Sequence, residues 1–112
     1  MLISGDNYRD SLRRYKPQVY VNGRKIESVA DEPSLAPGVN AVALTYDFAL
    51  REQLKPVMRA HVQATGAQDV NRMMALPSSS QDLLNKLEAV RLVCQETGCA
   101  ERYLGGDCLS AI

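Results

Sequence analysis

The residues best suited to chemistry lie in one stretch, residues 77–112 (PSSSQDLLNKLEAVRLVCQETGCAERYLGGDCLSAI), which holds all three cysteines, Cys94, Cys99 and Cys108. A cysteine thiolate can ligate a metal. Cys94 and Cys99 stand at C-x4-C spacing. Cys94, however, falls on the apolar stripe of a helix and reads as core. Free cysteine is commonly buried, so Cys99 reads first as a small, partly buried residue and second as a ligand. Arg102 and Tyr103 come just before Gly105 and Gly106, which mark a turn or a close backbone approach. A guanidinium there can hold a carboxylate bidentately, and a phenol hydroxyl can orient an oxygen. An ordinary surface arginine and a packed tyrosine would leave the same letters. His61, the single histidine, sits among apolar neighbours and reads as a core histidine rather than a base.

The element that positions this stretch is a helix over residues 80–97. Leu83, Leu87, Val90 and Cys94 recur at helical spacing, with Leu84 and Val93 beside them. Lys86, Glu88, Arg91 and Gln95 fall largely off that stripe. Ser79 is the expected N-cap, with Asp82 at the third helical position, and Gly98 suits the left-handed C-terminal position. A further helix is expected to open at Asp107 and run to Ile112. Ending on Ile112, one turn into an apolar helix, reads as a longer protein cut short.

Upstream, Ser4 is the expected N-cap of a first helix, with Asp6 in its first turn and Ile3 and Tyr8 at the positions of a hydrophobic staple. Tyr8, Leu12 and Tyr15 line one face of it. Arg9, Arg13, Arg14 and Lys16 read as a solvated face that complements the helix dipole. Pro17 ends the helix. Residues 18–29 read as a β-hairpin, because Asn22-Gly23 between alternating apolar residues suits a type I′ turn. In that register Val19 faces Ile26. After a loop over residues 31–38, Val39, Val42, Ala43, Tyr46 and Leu50 mark another helix. A third is expected from near Pro56, with Val57, Met58, His61 and Val62 inward and Gly66 closing it. Residues 70–76 read as extended or irregular, with Met73 and Met74 buried.

Composition narrows the function classes. The chain has 112 residues, 46% hydrophobic and 23% charged, enough for a single helical domain. Thirteen basic and thirteen acidic residues cancel, so a general electrostatic grip on nucleic acid or on an anionic membrane is not expected. No apolar run reaches membrane-span length, and the N-terminus lacks signal-peptide character. Three cysteines without a secretion signal read as reduced thiols in the cytoplasm.

Several segments in order, SGDNYRDSLRR, VYVNGRKIESV, DEPSLAPGVNAVALTYDFA, VNRMMALPSSSQDLLNKLEAVRL and CAERYLGGD, together resemble the N-terminal domain of the flavoenzyme family of 4-hydroxyphenylacetate 3-monooxygenase and 4-hydroxybutyryl-CoA dehydratase. The resemblance covers essentially the whole chain. It implies a mainly α fold, the helical N-terminal segment of an acyl-CoA dehydrogenase-like enzyme, here with one β-hairpin. Residues 1–112 would be the first part of a longer flavoenzyme. The implied activity is FAD-dependent aromatic hydroxylation, with reduced flavin supplied by a separate reductase. The alternative is a dehydratase that uses FAD and a [4Fe–4S] cluster. AVALTYDFA and RLVCQETGCAERYLGGD resemble the dehydratase side. That side carries two cysteines at C-x-x-x-C spacing, of which Cys99 matches the first and Tyr103 replaces the second. A neutral phenol with a pKa of about 10 is a poor iron ligand. The resemblance also places Arg102 and Tyr103 at the substrate pocket.

It further implies that the flavin pocket is built mainly from other domains. The 112-residue chain alone, which has no G-x-G-x-x-G fingerprint, is therefore expected to hold neither FAD nor a cluster. Its expected partners are the rest of its own chain and copies of itself, paired through residues 80–112. A free-standing helical module that binds a partner protein is the reading from a different class.

Overall fold

The computed structural model describes residues 2–62 and 66–98. Helix α1 (Gly5–Tyr15) starts at a full capping box: the Ser4 hydroxyl accepts from the Asn7 N–H, and Asn7 Oδ1 accepts from the Ser4 N–H, both at 3.1 Å. It ends at Lys16, held left-handed at φ 46°, just before Pro17.

Strands β1 (Val19–Val21) and β2 (Arg24–Ile26) then form an antiparallel hairpin with Val19 opposite Ile26. Asn22 and Gly23 both take positive φ, 50° and 77°, as a type I′ turn demands. The ladder is shorter than the stretch expected to form it. Ile26 alone of its six residues is fully buried.

Helix α2 (Ala36–Leu50) begins without a side-chain cap, with Pro37 in its first turn, where no N–H is needed. Val39 and Ala43 are buried as their spacing predicts, together with Thr45, Phe48 and Ala49, whereas Leu50 is exposed. A 3-10 turn over Glu52–Leu54 leads into α3 (Lys55–Met58).

Here the structure departs from the expected third helix. The chain leaves helical geometry at Arg59 (φ −104°, ψ 144°) and forms β3 (Arg59–Val62), paired antiparallel with β4 (Ala67–Asn71). The molecule therefore has a second hairpin. Gly66, at φ 65°, belongs to the connection between its strands and closes no helix. The Arg59 side chain is anchored at the break. Its Nε donates to the Ala49 carbonyl at 2.7 Å and its Nη2 to Glu52 at 3.0 Å, fixing the backbone against the end of α2. His61 lies exposed on β3 rather than in a core. A register shift between Ala60 and Val62 accompanies Asp69, a non-glycine residue at φ 54°.

A 3-10 turn, Arg72–Met74, follows. Consecutive residues there point about 120° apart. Met73 is buried and Met74 is exposed, where the sequence led us to expect both inside. Helix α4 (Ser80–Thr97) has the expected bounds: the Ser79 hydroxyl accepts from the Asp82 N–H, and Gly98 takes φ 64°. Its inward face is not the leucine stripe. Lys86, Ala89 and Val93 are buried, with Val90 and Leu92 packed alongside, while Leu83, Leu84 and Leu87 face out. Ala89 is small enough to let α4 lie close to its neighbours. Cys94 is half-buried rather than core.

The core cluster is Phe48, Ala49, Met58, Met73, Ala89 and Val93, where α2, α3 and α4 meet. Two buried polar groups brace it. Asn71 Nδ2 donates to Thr45 Oγ1 at 3.0 Å, while Asn71 Oδ1 accepts from the Met73 N–H. The Arg72 guanidinium donates to the carbonyls of Val57 and Arg59 and to Asp82.

Candidate functional site

A cleft of about 450 Å³ opens where α1, α2 and the C-terminal end of α4 converge. Arg9 of α1, Asn40, Ala41, Leu44 and Asp47 of α2, and Glu96 and Thr97 of α4 line it, with Pro37 at the rim. Arg9 is held in place: Nη1 donates to Asp6 at 2.9 Å and Nη2 to Asn40 Oδ1 at 3.0 Å. Asp47 is held too, since its Oδ1 accepts from the Gly5 N–H at 2.7 Å. A fixed guanidinium and a fixed carboxylate lining one cleft can orient a polar group.

Beside this cleft, Tyr8 and Tyr46 stack with ring centroids 5.3 Å apart and planes 24° from parallel. Burial raises both phenol pKa values, and the electrostatic effect of Tyr46 adds to the rise at Tyr8. Both hydroxyls are therefore protonated at neutral pH. None of these cleft residues was singled out as a site from sequence. Arg9 was read as a solvated charge, yet its side chain is only 27% exposed. The overlooked signal was Asp47, the one charged residue within the VALTYDFAL segment.

A second, more open groove of about 440 Å³ lies on the β3–β4 hairpin and contains Lys55, Pro56, Arg59, Ala60, His61 and Asp69. Arg59 is already engaged by Ala49 and Glu52, with Asp69 3.9 Å away, so the groove is no unopposed basic patch.

Cys99, Arg102 and Tyr103, the residues singled out from sequence, lie outside the described residues, as do Gly105, Gly106 and the helix expected from Asp107. In sequence they follow directly on α4, whose last turn supplies Glu96 and Thr97 to the cleft. Among the described residues, no group of three or more His, Cys, Asp or Glu side chains is placed to hold a metal ion. Cys94 is the one cysteine they include, so they do not furnish an iron–sulfur site. No described helix is long and apolar enough to cross a membrane.

Comparison with known proteins gives the wider frame. Residues 4–112 match the family described as 4-hydroxyphenylacetate 3-hydroxylase N terminal. The chain belongs to that family. It is 35% identical to 4-hydroxybutyryl-CoA dehydratase/vinylacetyl-CoA-Delta-isomerase of Clostridium aminobutyricum over all of its own length and 23% of the relative's. It is 28% identical to the oxygenase component of 4-hydroxyphenylacetate 3-monooxygenase of Geobacillus sp. (strain PA-9), over 96% of this chain and 22% of that one. The oxygen-tolerant archaeal 4-hydroxybutyryl-CoA dehydratase of N. maritimus superposes with a TM-score of 0.82 at 37% identity, covering 98% of this chain and 22% of the other. The oxygenase component HpaB, solved in complex with FAD, superposes with a TM-score of 0.65 at 20% identity over 84% of this chain. The fold is thus that of the helical N-terminal domain of these acyl-CoA dehydrogenase-like enzymes. The chain spans less than a quarter of the length of the relatives it matches.

Proposed function

We propose that this chain is the N-terminal helical domain of an FAD-dependent flavoenzyme whose whole-protein chemistry is on the 4-hydroxyacyl-CoA dehydratase side of the family. The observation that carries this reading is the likeness to two dehydratases, 35% and 37% identical over essentially the full chain. The likeness to the hydroxylases is weaker, at 28% and 20%. FAD would be held mainly by the rest of the fold, since the sequence has no G-x-G-x-x-G phosphate loop. Arg102 and Tyr103 are proposed to touch substrate. Cys99 is the residue of this chain that could donate a thiolate to a [4Fe–4S] cluster, which supplies Lewis-acid or electron-transfer chemistry when bound.

A second reading rests on one residue. Where the dehydratase pattern has a second cysteine, this chain has Tyr103. A hydroxylase needs no thiolate there. In that case the protein would hydroxylate a phenol with reduced flavin from a separate reductase.

The experiment is made on a polypeptide that carries this domain joined to the rest of the family fold, purified without oxygen. Bound flavin, iron and acid-labile sulfide are measured. Turnover is tested on 4-hydroxybutyryl-CoA, and on 4-hydroxyphenylacetate with reduced FAD. Near-stoichiometric iron lost on Cys99→Ala, with water eliminated from the thioester, supports the dehydratase. Flavin without iron, and a hydroxylated phenol, transfers the assignment to the hydroxylase.

A further inference from the structure

The outward face of α4 has no function in the fold described so far. Leu83, Leu84 and Leu87 are 46%, 59% and 61% exposed. Residues three and four apart on a helix are neighbours, so the three side chains form one contiguous apolar surface. The domain's own core does not need them, because α4 turns Lys86, Ala89 and Val93 inward onto α2 and α3. Nearby solvent-facing positions carry what an exposed helix surface ordinarily carries: Gln81 donates to Asn85, and Arg91 pairs with Glu88. A cluster of large leucines between such residues marks a surface built to be covered.

We propose that Leu83, Leu84 and Leu87 form the seat on which the remainder of the family fold packs, supplied by the same polypeptide. This rests on the family reading above. Two observations select that occupant. In both dehydratase relatives the matching domain is under a quarter of one continuous chain, and the archaeal domain superposes on 98% of this one. Whatever covers this helix face in such a protein has several hundred tethered residues to come from. The surface also carries no charge of its own to select a separate protein. A tethered segment acts at an effective concentration on the order of millimolar, far above that of a second copy in solution. Apolar contact without charge selectivity then goes to the tethered partner.

Cysteine accessibility tests this. Leu84→Cys is introduced into the 112-residue chain, and into a joined protein in which this chain replaces the matching segment of the Clostridium aminobutyricum dehydratase. Maleimide labelling is followed peptide by peptide, so that Cys94, Cys99 and Cys108 are read separately. The expected result is labelling of Leu84→Cys at least tenfold slower in the joined protein than in the isolated chain. Leu87→Cys should behave the same way. Equal rates in the two contexts overturn the proposal. So does equal protection in the isolated chain at concentrations where it sediments as a dimer, which makes a second copy the occupant. A joined protein from which trypsin releases the N-terminal domain as a folded unit also overturns it. Flavin content of the same sample separates the two readings. Protection without flavin keeps the seat and removes the flavin assignment. Flavin without protection does the reverse.

Discussion

The backbone N–H of Gly5 donates to Asp47 Oδ1 at 2.7 Å, and a Cβ added to Gly5 would stand 2.7 Å from Asp47 Oδ2 and 2.9 Å from the Ala43 carbonyl oxygen. The first turn of α1 thus touches α2 backbone to backbone, and only glycine leaves room. Both near atoms are held, one by a hydrogen bond and the other by a helix. Gly5→Ala should therefore cost about 1–3 kcal/mol through overpacking. Urea unfolding of the two proteins is the measurement. An unchanged midpoint would mean that α1 can move away from α2 freely.

Arg72 is the polar centre of the second half of the chain. Its side chain is 7% exposed and joins the Val57 and Arg59 carbonyls to Asp82. Arg72→Ala leaves two carbonyls without their donor and removes the cation beside Asp82, to which Ser78 still donates. Breaking such a buried arrangement costs about 3–5 kcal/mol, a large share of a small domain's stability. Arg72→Lys should rescue little, since one ammonium cannot reach three acceptors set for a planar fork. Thermal unfolding followed by circular dichroism should show both variants melting well below the wild type.

Asp31 gives a pH signature. The Arg13 guanidinium, and then the Ser28 hydroxyl, hold its pKa down to about 2 from an ordinary 3.8. A carboxylate with a lowered folded-state pKa contributes stability that is fully present above the ordinary value and lost as pH falls through the folded one. The contribution should therefore fade between about pH 4 and pH 2, and be constant above that window. A carboxyl NMR titration should put the Asp31 midpoint near 2, and Arg13→Ala should bring it back toward 3.8.

His61 separates the two readings of residues 56–66. A core histidine on a helix would be costly to remove. An exposed histidine on β3 should be replaceable: His61→Ala should change stability by less than about 0.5 kcal/mol. A loss of several kcal/mol on denaturant unfolding would restore the helix.

That segment also shows where the sequence was legible. Local chemistry fixed what it directly bonds: Ser4 and Ser79 as caps, Gly98 as the end of α4, and Asn22-Gly23 as the turn of the first hairpin. Periodicity misled where two periods share the same letters. Val57, Met58, His61 and Val62 suit a helix, and Val57 and Met58 do lie in α3, but from Arg59, whose side chain reaches back to Ala49 and Glu52, the chain pairs with β4 as a strand. Leu83 and Leu87 show the opposite limit. Their spacing announced a helix correctly, but an apolar stripe does not say which neighbour will cover it. The α1–α2–α4 cleft was not legible, because Arg9, Asp47 and Glu96 meet only after three helices are packed. Cys99, Arg102 and Tyr103 lie outside the described residues, so the structure leaves their sequence-based roles as proposed.

The manner in which α1 is attached has a kinetic side. The core cluster includes no residue of α1, and Gly5 is the helix's one fully buried residue. What holds α1 is mostly polar, Gly5 to Asp47, Arg9 to Asn40 and Arg13 to Asp31, with the Tyr8–Tyr46 ring stack beside them. Such a helix opens by local rather than global unfolding, so its amides should exchange with deuterium sooner than those of α2 or α4. Added salt shortens the reach of charge, to about 10 Å at 0.1 M, and should quicken that first opening while leaving the core amides nearly untouched. The domain then breathes at two rates, and ionic strength sets the faster one.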